Sequence, residues 1–202
     1  MQRYAQIRMC TRIRAGMRNK FRIILLLSLL PTHLLLPVAR ATTLARLSLE
    51  QLAAGSDAVA RVRCARVESR WENGSIWTVA TVEIAETLKG NLPAEITVRL
   101  PGGRVGHLTA TVDGVPKFKS GDDTIVFLQR SSAGGFTVAG WVEGTFRISR
   151  DPRTGSETVT QESSAFAVFD AATRAFRVEG IRRMPLAEFH ARIAAAVARS
   201  GK

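Results

Sequence analysis

The chain has 202 residues, with 29 Lys and Arg against 17 Asp and Glu, a formal net charge of +12 and 46% hydrophobic residues. This length and apolar content exclude a disordered or fibrous chain and suit a globular one with a core of its own. A sequence pI near 11.2 points toward nucleic acid or an anionic membrane, unless the charge sits in a segment the working protein does not keep.

It does concentrate in such a segment. Residues 1–41 contain eight basic residues and no acidic one, then an apolar run over 23–30 and a second patch at Leu34, Leu35 and Leu36. Ala39-Arg40-Ala41 places small residues at alternate positions, the pattern a signal peptidase accepts, so residues 1–41 read as a cleavable secretory leader with the working chain starting near Thr42. Met17 is an alternative start, because Met17-Arg18-Asn19-Lys20-Phe21-Arg22 is already a charged leader opening. The competing reading is an uncleaved anchor, but Pro31, His33 and Pro37 interrupt the apolar stretch well short of the roughly 20 residues a spanning helix needs. No cysteine stands at the cleavage point to carry a lipid.

Of the 29 basic residues, 8 leave with the leader and 21 remain against 17 acidic ones, a net charge near +4. Nucleic-acid binding thereby becomes a minor reading, and the expected location is periplasmic or secreted, with no membrane span after cleavage. Cys10 belongs to the leader, which leaves Cys64 alone and allows no intrachain disulfide. Beside Val62 and Val67 it reads as a small buried side chain rather than a nucleophile, since reactivity requires an activating electropositive site. Residues 42–202 are thus expected to form one domain held by its core.

Taken in order, Ser48-Leu49-Glu50-Gln51 has the form of a capping box, and Leu49, Leu52 and Ala53 share a stripe on a short helix that Gly55 stops. Residues 58–70 and 76–87 read as strands around Asn73-Gly74, a pair suited to the two positive φ angles of a type I′ turn. That loop sets Trp71 opposite Ile76 and Arg70 opposite Trp77, with the Arg70 guanidinium expected over the Trp77 ring. In the first strand Val59, Val62, Cys64 and Val67 cannot all share one face at period two, so a bulge or bend is expected, as in a small closed barrel.

Leu88-Lys89-Gly90-Asn91 reads as a turn, and residues 95–100 alternate with Ile96, Val98 and Leu100 inward. Residues 124–130 carry the continuous run Ile125-Val126-Phe127-Leu128 of a central strand. Strands are also expected over 136–142, 144–150, 157–161, 165–169 and 175–179. A closing helix over about 185–199 has Pro185 in its first turn and Leu186, Phe189, Ile193 and Val197 on one face.

Several of these stretches have a family look. Leu47-Ser48-Leu49-Glu50-Gln51-Leu52, Ser56-Asp57-Ala58-Val59, Arg70-Trp71-Glu72-Asn73-Gly74, Leu88-Lys89-Gly90 and Pro101-Gly102-Gly103 belong to it. So do Val115-Pro116-Lys117-Phe118, Gly121-Asp122, Val126-Phe127-Leu128 and Gly144-Thr145-Phe146-Arg147. Over residues 44–150 the chain resembles an uncharacterised group of exported bacterial β-domain proteins, some associated with secreted matrixin-type metallopeptidases. The resemblance implies export and one β domain, and it supplies no catalytic residue.

Catalytic motifs are weak. His107 and His190 have no His-Glu-x-x-His setting, which disfavours a zinc peptidase. His107, Asp113 and Ser120 can be written as a hydrolase triad, but no nucleophile motif surrounds the serine. Gly102, Gly103 and Gly106 lack the Gly-Lys-Ser/Thr ending and following helix of a phosphate loop. Asp122-Asp123 lacks the distributed oxygens of a calcium loop and reads as a turn cap. Trp71, Trp77 and Trp141 serve either packing or stacking on a ligand.

The reading as a whole is a mainly β chain, a small OB-like or related barrel with a short N-terminal helix and a C-terminal amphipathic helix. Its expected role is an exported noncatalytic binding or accessory module, with no cofactor and no metal. The alternatives are a hydrolase using the His107 region and an inhibitor or chaperone of a secreted peptidase. Residues 101–121 join two strands by more than the usual connection of about 4–6 residues. Arg104, His107, Lys117 and Lys119 in that segment, with Trp71 and Trp77, are the expected contacts for an extracytoplasmic protein or acidic ligand.

Overall fold

A computed structural model of the chain describes residues 46–165, 168–170, 173–177 and 180–200. The leader expected over 1–41 lies outside the described residues. The elements are α1 (Leu49–Gly55), β1 (Ala58–Glu72), β2 (Ser75–Lys89), β3 (Glu95–Pro101), β4 (Gly103–Val105), β5 (Leu108–Ala110), β6 (Asp123–Arg130) and β7 (Phe136–Val138). They continue with β8 (Thr145–Arg150), β9 (Glu157–Gln161), β10 (Val168–Asp170), β11 (Ala175–Arg177), β12 (Met184–Pro185) and α2 (Leu186–Ser200). The fold is mainly β, with a short helix toward the N-terminus and a helix at the C-terminus, as expected.

The capping box forms: Gln51 N–H donates to Ser48 Oγ, and Ser48 N–H donates to the Gln51 side chain. At the other end of α1, Lys89 Nζ donates to Ala53 O at 2.6 Å and Ser56 O at 2.7 Å, satisfying carbonyls that the helix leaves open. Asn73 and Gly74 take φ of 48° and 78°, and the register sets Trp71 opposite Ile76 and Arg70 opposite Trp77. The expected bend in β1 appears as three breaks in its register with β2, at Val59/Ala60, Arg61/Val62 and Cys64/Arg66.

The main sheet runs β1-β2-β3-β7-β6-β8-β9-β12, and β1 also pairs with β6. That extra pairing joins β1, β2, β3, β7 and β6 into a circuit of hydrogen-bonded strands. The narrowest seam is the parallel contact of β3 with β7, a single bridge between Val98 and Phe136. Two apolar clusters result. One gathers Ala60, Val62, Ala80, Val82, Val98 and Leu100 with Val126 and Leu128. The second lies on the other side of β6, where Ile125 and Phe127 meet Phe146, Leu52, Phe189 and Ile193. β6 is therefore apolar without alternation because both of its faces are buried.

Phe146 joins the second cluster, with its ring 5.6 Å from Phe127 and 4.7 Å from Phe189. Each fully buried Phe contributes up to about 3 kcal/mol of transfer free energy. On α2, Phe189, Ile193 and Ala196 are buried while Arg192 and Arg199 stay exposed, so the expected apolar face is the one that packs.

Two expectations need correction. The strand expected over 136–142 ends at Val138, because Gly140 and Trp141 adopt left-handed φ of 63° and 54° and open a 3-10 turn, Trp141–Gly144. Val142 N–H then donates to Gly114 O, and a side chain at Gly144 would overlap Ala139 O. The Arg70–Trp77 stack is also replaced: Arg99 of β3 lies 5.3 Å from the Trp77 ring centre, while Arg70 pairs with Glu72. The guanidinium arrives from the third strand, which the hairpin sequence alone does not contain. The strands expected over 165–169 and 175–179 correspond to β10 and β11, and residues 166, 167, 178 and 179 lie outside the described residues.

The turn after β7 also buries a carboxyl. Glu143 is 2% exposed and accepts a hydrogen bond from Gln161 Nε2 at 3.0 Å. Burial pushes its carboxyl above the ordinary value of 4.5, against the pull of hydrogen bonds that include the Leu47 N–H. The native state thus holds this proton more tightly than the unfolded chain. The resulting stability is complete below about pH 4.5 and is lost as pH rises through the higher native value. Glu143→Gln removes that titration, so in melts across pH the variant should gain on the parent as pH rises from acid to neutral. A stability difference independent of pH would refute the buried-carboxyl account.

Candidate functional site

The 21-residue path from Pro101 to Gly121 is not a bare loop. β4 and β5 form a small hairpin with Arg104 opposite Thr109, and Gly106 at φ 60° turns the chain between them. Leu108–Ala110 is the returning strand of that hairpin. Thereafter the chain passes Val115, and Phe118 enters the first cluster at 6% exposure.

The hairpin lies against the ends of β1 and β2 by means of two glycines. Gly102 N–H donates to Ile76 O at 2.8 Å, and Thr78 Oγ1 donates to Gly102 O at 2.7 Å. Ser69 Oγ is 2.9 Å from Thr78 Oγ1. Since Thr78 has one hydroxyl proton and gives it to a carbonyl, Ser69 is the donor in that pair. A Cβ at Gly103 would overlap both hydroxyls, so glycine is what permits the close approach.

Arg147 of β8 fastens the far end. It donates to Asp122 Oδ2 at 2.5 Å, to Glu162 Oε2 at 3.0 Å and to the main-chain carbonyl of Lys117. Its guanidinium also stands 5.7 Å from the centre of the Phe118 ring. Asp122 in turn accepts from Lys119 N–H at 2.8 Å, which makes it the turn cap expected from the sequence. Asp123 is engaged separately, in a salt bridge to Arg61 that Glu157 shares. Arg61 holds the Glu157 carboxyl below its ordinary range. Adjacent in sequence, the two aspartates serve different arginines.

Between the hairpin and the 115–119 stretch lies a cleft of about 360 Å³. Its apolar lining includes Val67, Leu100, Val112, Val115 and Phe118, and Ser69 and Thr78 line it too. Arg104, Lys117 and Lys119 line it as well, with no Asp or Glu among the lining residues. All three are exposed. Arg104 Nε donates to Gly106 O, and among the described residues neither lysine side chain has an ion pair.

The cleft brings together only some of the residues singled out from the sequence. His107 is exposed at the hairpin tip and does not line the cleft. Ser120 Oγ donates to Ala65 O at 2.8 Å, and no hydrogen bond links Ser120, His107 and Asp113 among the described residues. Trp71 and Trp77 fall on opposite faces of the β1–β2 hairpin, since their partners Ile76 and Arg70 do. Trp71 is 56% exposed, while Trp77 is half-buried beneath Arg99. His190 on α2 lies 3.7 Å from Glu86. Cys64 is buried and free, and burial raises its thiol pKa.

A larger concavity of about 820 Å³ lies between α1 and α2. It carries Arg192 and Arg199, but these are paired with Glu188 and Glu50, so it lacks the one-signed character of the smaller cleft. Among the described residues no three His, Cys, Asp or Glu side chains are grouped to hold a metal ion. No described helix is long and apolar enough to cross a membrane. No protein-family model matches the chain, and no curated protein matches it significantly.

Sequence reasoning singled out the three cations of the cleft and missed Arg147, which sets the position of two of them. Arg147→Ala should therefore release residues 115–121, seen as faster amide hydrogen exchange there, and lower stability by about 2 kcal/mol. Unchanged exchange over these residues would show that Phe118 alone holds the segment.

Proposed function

We propose that the chain is an exported, noncatalytic binding module whose cleft beneath the β4–β5 hairpin receives an acidic, carboxylate-bearing segment of an extracytoplasmic protein. One observation carries the reading: three exposed cations and no carboxylate line a cleft with an apolar floor. Arg104, Lys117 and Lys119 supply electrostatic attraction and register, and the floor formed by Leu100, Val115 and Phe118 accepts intervening apolar side chains. The circuit of β1, β2, β3, β7 and β6 supports an OB-like barrel in which Phe118 closes one end. An apolar plug fixed by Arg147 then gives a mobile ligand a fixed surface to meet.

The basic, apolar and Ala-x-Ala order of residues 1–41 supports export to the periplasm or beyond. The resemblance to exported bacterial β-domain proteins, some associated with secreted matrixin-type metallopeptidases, makes a cosecreted protein the natural partner class. The mature protein should begin within a few residues of Thr42. N-terminal sequencing of exported material decides this, and a product retaining Met17 would remove the cleaved leader from the proposal.

For the cleft, Arg104→Ser, Lys117→Ser and Lys119→Ser together should leave the melting temperature within a few degrees, since exposed charges contribute little to stability. The same variant should bind a poly-glutamate probe at least about tenfold more weakly at low salt and lose most of the salt dependence shown by the parent. Equal binding by parent and variant at every salt concentration would place the acidic-partner site elsewhere.

A further inference from the structure

The end of β1 has a free edge. β6 covers β1 only from Ala58 to Arg63, and the 121–122 turn takes over at Cys64, where Gly121 N–H donates to Cys64 O and Cys64 N–H to Asp122 O. Beyond it the strand continues to Glu72, and among the described residues only β2 pairs with it there. In a two-residue hairpin the pair flanking the loop, here Glu72 and Ser75, exchanges both hydrogen bonds. Arg66, Glu68, Arg70 and Glu72 therefore turn their main-chain groups toward β2, and Val67, Ser69 and Trp71 turn theirs away. Among the described residues no main-chain hydrogen bond receives the groups of these three.

Edge strands are ordinarily defended by proline, by bulges or by charges that repel a second strand. This one has no proline, and its three register breaks all precede Val67. Its charged positions alternate in sign, as Arg66, Glu68, Arg70 and Glu72. Such a pattern is self-complementary about a two-fold axis at Ser69. Antiparallel pairing there sets Arg66 opposite Glu72 and Glu68 opposite Arg70, each twice, and the outward-turned residues meet as Val67 with Trp71 and Ser69 with Ser69. Shifting the two-fold to Glu68 or Arg70 keeps outward-turned residues at the seam but puts like charges opposite one another. Trp71, 56% exposed, would then lie across Val67 of the second copy.

We infer that this edge pairs two copies of the chain, antiparallel and centred on Ser69, to extend the sheet through both. Strand addition of this kind combines main-chain hydrogen bonds for affinity with side-chain matching for register. The dimer does not rest on the cleft reading. It uses the in-plane edge of β1, whereas the cleft lies on the face of the hairpin that β4 approaches.

Charge exchange tests it. Glu68 and Arg70 have side chains 57% and 56% exposed, so Glu68→Arg and Arg70→Glu should each keep the melt of the parent. Sedimentation velocity over a wide concentration range should show a reversible dimer for the parent and at least about tenfold weaker association for each single variant, because like charges then face each other. Mixing the two variants should restore association, as should the double variant Glu68→Arg/Arg70→Glu. If a single variant fails to fold, Trp71→Ser and the double variant still discriminate, the first weakening the dimer and the second preserving it. A parent that is monomeric throughout would overturn the inference, as would association indifferent to the charge reversals or not restored by their combination. Association abolished by the Arg104, Lys117 and Lys119 replacements and untouched by Glu68→Arg would assign the contact to the cleft instead.

Discussion

Because β1 is hydrogen-bonded to β2 along one edge and to β6 along the other over residues 58–63, its side chains leave the sheet in two directions, and both must find apolar surroundings. Val59 enters the cluster beneath the helices, while Ala58, Ala60, Val62 and Cys64 enter the one within the strand circuit. The breaks in register allow one strand to bend through both settings without leaving its ladder. β6 meets the same demand with an unbroken apolar run. The positions of the helices, the cleft and the projecting hairpin all descend from this shared pair of strands.

Around that frame, arginine and lysine fix connections that hydrophobic contact alone leaves loose. Lys89 closes the end of α1, Arg61 ties β1 to Asp123 and Glu157, and Arg147 joins β8 to the segment before β6. These cations are partly buried and hold several acceptors each, which distinguishes them from the exposed pairs of the surface. Arg104, Lys117 and Lys119, by contrast, are exposed at the cleft.

Much of the fold could be read in advance because its signals are local. Ser48 and Gln51 define a helix start within four residues, Asn73-Gly74 defines a hairpin and its register, and the run from Ile125 to Leu128 marks a strand buried on both sides. The readings that failed needed a partner distant in sequence. Nothing near Trp77 announces that Arg99 will reach it before Arg70 does, and the turn opened by Gly140 and Trp141, which ends the strand begun at Phe136, is held by Gly114, far back in the chain, which accepts from Val142. The cleft divides likewise. Loop length and charge exposed its cations, whereas the Arg147 clamp bridges 30 positions to Lys117. Trp71 and Trp77, grouped as contacts in the sequence reading, fall on opposite faces by the same Asn73-Gly74 register that the sequence already defines.

The clamp on Lys117 is made to its main-chain carbonyl. Every amino acid offers that same oxygen, so the architecture at 117 is indifferent to which side chain stands there. A lineage can exchange the lysine for a shorter, uncharged or acidic residue and keep the segment in place, changing the charge of the cleft without unfastening its wall. Gly103 is the opposite case, where any side chain would disturb the seat of the hairpin. The lining of the cleft is therefore open to substitution at Lys117 and restricted to glycine at Gly103.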